Sequence, residues 1–185
     1  MTSILRFRAT ALAVILATAT MLGGCAATRT QKTAGEQLDD TVITTKVKTA
    51  LIANPTTKAR QIDVEVFRGT VQLNGFVDNA GEKTEAERVA RGVDGVSKVQ
   101  NNLAVRPGGA ATAGDVVDDA TITAKVKTAL AGDPRTKAHQ VNVAASQGVV
   151  QLSGFVDSAA AKSAAAEVAR SVAGVKSVRN ELEVK

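Results

Sequence analysis

One stretch of this sequence occurs twice. Gly69-Thr70-Val71-Gln72-Leu73-Asn74-Gly75-Phe76-Val77-Asp78 returns 79 positions later as Gly148-Val149-Val150-Gln151-Leu152-Ser153-Gly154-Phe155-Val156-Asp157. The match runs without a gap from Leu38–Val105 to Val117–Val184, with about half of the aligned residues identical. A repeat of that length is a duplicated domain, not a solenoid unit. Each copy has about 68 residues. A domain so small buries only about 60% of its unfolded surface and is marginal alone. Its apolar residues are chiefly Val, Ala, Leu and Ile, and the chain has neither Trp nor Tyr. Cores this thin favour packing of the two copies against each other.

The net charge of +5 does not point to nucleic acid. Leu38–Val105 carries nine basic and nine acidic side chains, and Val117–Val184 carries eight and seven. The repeats are therefore nearly neutral, and no surface of basic and stacking aromatic residues is available.

The N-terminus reads as an export signal over residues 1–24. Arg6 and Arg8 form a positive start, and Ala9 to Leu22 is uncharged and apolar but short for a bilayer span. Ordinary secretion, with cleavage at Ala17-Thr18-Ala19, would leave a bare thiol at Cys25, the only cysteine of the chain. That thiol has no disulfide partner within the chain. Leu22-Gly23-Gly24-Cys25, however, resembles the bacterial lipobox. The resemblance implies cleavage before Cys25, diacylglycerol on its sulfur and acylation of the new amine. Several acyl chains, at about 0.8 kcal/mol per buried CH₂, anchor firmly. Residues 25–37 then form the lipidated cysteine and its tether. Ala26 stands where an Asp usually signals inner-membrane retention, so the resemblance implies the periplasmic face of the outer membrane.

Each copy opens with a helix. Asp39-Asp40 suit a helix N-terminus, where carboxylates meet free N–H groups and oppose the dipole. Ile43, Val47, Ala50 and Leu51 follow at helical spacing. Asn54-Pro55 ends the helix, because the residue before proline avoids the helical region. The second copy has Asp118-Asp119, then Ile122, Val126, Ala129 and Leu130, then Asp133-Pro134. Neither a His nor a third carboxylate accompanies the acidic pairs, so capping explains them better than a metal or acid–base chemistry does.

A hairpin follows. Placing Arg68-Gly69 as a two-residue turn pairs Val66 with Val71 and Val64 with Leu73, which puts every aliphatic on one face. Gly75 on that face would admit a helix at close range. The same parity sends Phe76 and Phe155 to the opposite face. There they make an apolar spot for the other domain or a membrane, unless a bulge at Gly75 and Gly154 returns each ring to the core. A second helix carries Ala86, Val89, Ala90 and Val93, with Gly95 as its C-terminal cap. Its counterpart carries Ala165, Val168, Ala169, Val172 and Gly174, and is rich in alanine, which favours helix. In the last strand Val99, Leu103 and Val105 share a face with Asn101, as Val178, Leu182 and Val184 do with Asn180. An Asn recurring on an apolar face reads as a side chain satisfied by backbone. Pro107-Gly108-Gly109 through Gly114 reads as a linker, since the strand-and-lysine context of a phosphate loop is missing.

Each copy is therefore helix–strand–strand–helix–strand, an α+β domain with two helices on one face of a three-stranded mixed sheet. The first spans 38–106, the linker 107–116 and the second 117–185. Gly69-x-Val71-x-Leu73-x-Gly75, together with Gly95-Val96-x-x-Val99-x-Asn101-x-Leu103-x-Val105, resembles the BON domain, and both patterns recur in the second copy. A lipobox before two such domains is similar to the dual-BON outer-membrane lipoproteins. Soluble periplasmic members of the family carry the domain without an anchor.

The family resemblance implies binding to anionic phospholipid and support of envelope integrity. The contact it implies is the first helix of the second domain. That helix offers Lys125 and Lys127, and the loop after it offers Arg135, Lys137 and His139. Each cation near an anionic surface is worth about 1 kcal/mol, and Asp133 offsets part of this. The first domain has a similar set in Lys46, Lys48, Lys58 and Arg60. A second reading stays open: a stress-protective or protein-interaction module, with envelope proteins as partners and the membrane only as tether. Catalysis is not expected, and neither is a cofactor. The one His lies in a loop, the one Cys is assigned to acylation, and no nucleophile–base pair or metal-ligand spacing occurs.

Overall fold

A computed structural model describes residues 34–57, 61–106 and 113–185. The export signal, Cys25, tether residues 26–33, Lys58, Arg60 and linker residues 107–112 lie outside the described residues. The first domain contains α1 (Ala34–Ala53), β1 (Ile62–Phe67), β2 (Thr70–Val77), α2 (Ala80–Arg91), β3 (Lys98–Asn101) and β4 (Ala104–Val105). The second contains α3 (Ala113–Gly132), β5 (Asn142–Ser146), β6 (Val149–Val156), α4 (Ala159–Ser171) and β7 (Ser177–Val184).

The two domains share one topology. An antiparallel hairpin is followed by a helix and then a strand parallel to the hairpin's second member. The register is the expected one, with Val66 opposite Val71 and Val64 opposite Leu73. The turn residues Arg68 and Gly69 have φ of 49° and 72°, and Gln147 and Gly148 have 52° and 82°. Positive φ at both central positions is what a two-residue hairpin loop of type I′ requires. In the first domain the last strand is broken between β3 and β4; β7 runs unbroken. Asn101 donates to the Lys83 carbonyl (2.9 Å) and accepts from the Leu103 N–H (3.3 Å), and Asn180 does the same with Lys162 (2.9 Å) and Leu182 (3.4 Å). Each Asn thus ties the strand to the covering helix, as expected.

The acidic pairs do not cap helices. α1 begins at Ala34 and α3 at Ala113, so residues 34–37 and 113–116, read from sequence as tether and linker, are helical. Asp40 and Asp119 fall inside these helices, and both are buried. The Asp40 carboxylate accepts from the Arg68 and Gly69 N–H groups at 2.8 and 2.9 Å. Asp119 accepts from Gln147 and Gly148 at 2.8 and 3.1 Å. Each carboxylate therefore pins the tip of its own hairpin to its own first helix. A charged acceptor suits this place, because two turn amides converge on one buried point.

Two glycines also differ from expectation. Gly95 lies beyond the end of α2, which is capped at Gly92. Its φ of +95° and its contact with Ile43, whose Cγ1 would stand 3.0 Å from an added Cβ, explain the glycine instead. Gly75 does not make room for a helix. A Cβ there would stand 2.3 Å from the Gln61 carbonyl oxygen of the neighbouring strand, and its φ is +116°.

β1 alternates in burial as a half-buried strand does, but the second strand of each hairpin does not. β2 and β6 are buried on both faces. One face meets the domain's own helices through Ile43, Val47, Leu51, Val64, Val71 and Leu73, and through their counterparts. The other meets the partner domain. Gln151 Oε1 accepts from the Gly75 N–H at 2.6 Å, and Gln72 Oε1 accepts from the Gly154 N–H at 3.2 Å. Gln72 and Gln151 occupy equivalent places in the repeat, so the two bonds are one interaction made twice in opposite senses. The two sheets thus pack face to face with the helices outside, an α/β/β/α order. Phe76 and Phe155 are in register, without a bulge, and turn toward the partner domain. Phe155 stacks on Phe67 of the first domain, with ring centroids 5.1 Å apart. The expectation that the thin cores lean on each other holds, through a face rich in amides.

Candidate functional site

With the sheets closed on each other, most of what faces outward is helix. Lys125 and Lys127 are exposed on α3, and Lys46 and Lys48 on α1. At about 100° per residue, two lysines separated by one residue flank a helix face instead of sharing a side. Their axial spread is only about 3 Å.

The structure does not join the four predicted cations into one free patch. Arg135 is held by Asp133, Nη2 to Oδ2 at 2.7 Å, and by Glu167 at 3.2 Å. Hydrogen bonds from the Arg135 side chain and backbone hold the Asp133 carboxyl below its ordinary range. Lys137 is held by Asp157 at 2.6 Å, and Lys185 approaches the same carboxylate at 2.9 Å. Lys125 and Lys127 thus form the pair outside these clasps. His139 is exposed on a short 3-10 turn, Ala138–Gln140, two residues after Lys137.

The Asp157 clasp lines a cleft between the domains, about 850 Å³, with Phe67, Phe155, Asn142 and Glu65. Asn142 donates across the interface to Glu65 at 2.6 Å. The hydrogen bond from Lys137, and then that from Lys185, hold the Asp157 carboxyl well below the usual carboxylate range, against the opposing effect of burial. A depressed folded pKa stabilises the fold above the unfolded value of about 3.9, and that contribution fades as pH falls toward the folded value. In an acid titration followed by carboxyl-carbon NMR, Asp157 should remain ionised at about pH 3, where an ordinary Asp is mostly protonated. Lys137→Ala should move its midpoint upward. Titration of Asp157 near 3.9 in the unaltered chain would contradict the clasp.

Sequence reasoning missed two surfaces. The first is the amide part of the face that joins the domains, of which the sequence reading had only the phenylalanines; its signal was the Gln repeated between apolar residues in both copies. The second is the outer face of α1, where Val42 is 53% and Ile52 73% exposed. Among the described residues no group of His, Cys, Asp and Glu could hold a metal ion, and no helix is long and apolar enough to cross a membrane.

Comparison with known proteins agrees with the topology. The family model of the BON domain matches residues 39–107 and again 118–185. The chain is 35% identical to osmotically-inducible protein Y of Escherichia coli (strain K12), over 98% of both chains. It is 33% identical to outer membrane lipoprotein DolP of Haemophilus influenzae, over 90% of this chain and 92% of the relative. It is 34% identical to a 21 kDa hemolysin of Actinobacillus pleuropneumoniae, over 80% of this chain and 75% of the relative. With both of its repeats matched, this chain belongs to the BON-domain family.

Proposed function

We propose that this is a non-enzymatic envelope protein, anchored by acyl chains on Cys25 at the periplasmic face of the outer membrane, that binds anionic phospholipid and supports envelope integrity. The observation that carries the reading is the closure of the two sheets. Each covers the other's open face, so the helical exterior, with Lys46, Lys48, Lys125 and Lys127 exposed, is what a flat anionic surface can meet. The two cations of one helix supply about 2 kcal/mol against such a surface. The likeness to a relative named as an outer membrane lipoprotein supports the anchor.

The test uses the fragment 26–185, which keeps every described residue and every described contact. It should sediment with phosphatidylglycerol-containing vesicles and stay in solution with phosphatidylcholine alone. Binding should weaken with salt, because surface charge is screened beyond about 10 Å at 0.1 M. Equal recovery with both vesicles would defeat the reading. The likeness to an osmotically-inducible relative favours a second one, a stress-protective module that grips an envelope protein while the membrane only tethers it. Capture of one defined envelope protein, with no vesicle binding, would select it.

A further inference from the structure

We infer that the membrane is met by α1 of the first domain and not by α3 of the second. This rests on the proposed binding of anionic membrane and says which face does it. The four-layer order puts the two helical layers on opposite sides of the sheet pair, so one flat surface cannot engage the outer faces of both.

The two helices are equivalent by descent from the repeat but differ in what they show. In α1 the core side carries Ile43, Val47 and Leu51. On the opposite side, Val42, Thr45, Thr49 and Ile52 are all exposed. At about 100° per residue they fall within an arc of about 80°, with Val42 at one border and Ile52 at the other. The two threonines between them each add a methyl group, and the Thr45 hydroxyl already donates to the Thr41 carbonyl at 3.0 Å. Lys46 lies about 40° beyond the Val42 border and Lys48 about 40° beyond the Ile52 border. Two exposed aliphatic side chains enclosed by a pair of lysines suit a helix lying in a membrane interface, where long cationic stems run up to the headgroups.

The same positions of α3 read Thr121, Ala124, Thr128 and Ala131, flanked by Lys125 and Lys127. The cations match and the aliphatic side chains do not: Val42 is replaced by Thr121 and Ile52 by Ala131. The exposed aliphatic of α3, Val116, lies elsewhere, on the lip of a cleft between the domains beside Phe76. Charge alone therefore does not separate the helices, and among the described side chains of the two outer faces the larger aliphatic ones belong to α1. Chain connection agrees. Ala34, the first residue of α1, follows Cys25 by nine positions, a reach of at most about 30 Å. A chain held at Cys25 keeps α1, not α3, close to the bilayer.

The test uses fragment 26–185 and vesicles of phosphatidylglycerol and phosphatidylcholine. Val42→Asp with Ile52→Asp should weaken binding at least tenfold, while Lys125→Glu with Lys127→Glu should weaken it less than threefold. All four side chains are exposed, and an unchanged thermal midpoint checks that each variant is folded. The fragment lacks Cys25, so a cysteine-directed, polarity-sensitive dye can be placed singly at Ile52→Cys or at Ala131→Cys. Its emission should shift to the blue on vesicles at the first position and stay fixed at the second. Loss of binding in the α3 variant, with the α1 variant unaffected and the shift at Ala131→Cys, would overturn the inference and leave membrane binding intact. Absence of binding by the unaltered fragment would overturn both.

Discussion

Gly75→Val should cost the first domain about 3–5 kcal/mol, enough to unfold much of a domain this small. Three constraints meet at this residue. Its φ of +116° is one that side chains rarely adopt, and a Cβ would stand 2.3 Å from the Gln61 carbonyl oxygen. That oxygen is backbone, so it cannot swing away. The Gly75 N–H is also the donor that Gln151 reaches across the interface to meet. Displacing it leaves a buried amide oxygen unpaired, at about 1–3 kcal/mol. Gly154→Val should behave alike, with its Cβ 2.4 Å from the Gln140 carbonyl oxygen. Gly35→Ala is the control: nothing lies within 4 Å of its added Cβ, and helix propensity makes the change neutral or favourable. Urea midpoints of the three variants decide the matter. A Gly75→Val protein as stable as the parent would show that the strand turns here in some other way.

Asp40→Ala should lower stability by about 2–4 kcal/mol. The substitution removes a buried charged acceptor and leaves the Arg68 and Gly69 N–H groups to find other partners. A hydrogen bond to a charged group contributes about 1.5–3 kcal/mol, and an orphaned buried donor costs about 1–3 kcal/mol. Asp40→Asn should be milder, because one amide oxygen can still accept. Asp39→Ala, at an exposed neighbour, should change stability by about 0.5 kcal/mol or less. Were Asp40 a helix cap, as its place in the sequence suggests, Asp39 and Asp40 would matter about equally. The ratio of the two losses separates a hairpin pin from a cap. Amide exchange adds a local readout: Arg68 and Gly69 should lose protection in Asp40→Ala.

Much of the fold was legible because it depends on periods. Alternation in Ile62–Val66 and Val71–Val77, with Arg68-Gly69 between them, fixes a register that a one-residue slip would turn inside out. Helical spacing in Ile43–Leu51 and proline at 55 place the first helix and its end. What failed to show was long-range. Asp40 looks like a cap because carboxylates favour helix starts, and nothing nearby tells that two turn amides 28 and 29 residues away will converge on it. Gln72, Asn74 and Phe76 read as an open face, since amides are ordinary on an exposed sheet. Only the partner domain makes them core. The basic residues of the second domain are legible in the sequence, but which of them are ion-paired is not. Asp133 and Asp157 are visible in the sequence, but the bonds that occupy Arg135 and Lys137 are geometric facts. The outer stripe of α1 was legible in principle. Val42 and Ile52 fall on one side of the helix, away from Ile43, Val47 and Leu51, but each stands next in sequence to a core residue and is easily assigned to the core with it.

The proposed function has a fold with both sheet faces sealed act by where it is held. Fractionation of the native envelope, followed by mass spectrometry of the N-terminal peptide, puts that to the test. The protein should be recovered in the outer-membrane fraction, with a peptide that begins at Cys25 and carries the mass of the diacylglyceryl and amide-linked acyl groups. Recovery from the soluble periplasmic extract, with Cys25 present as an unmodified thiol, would refute it.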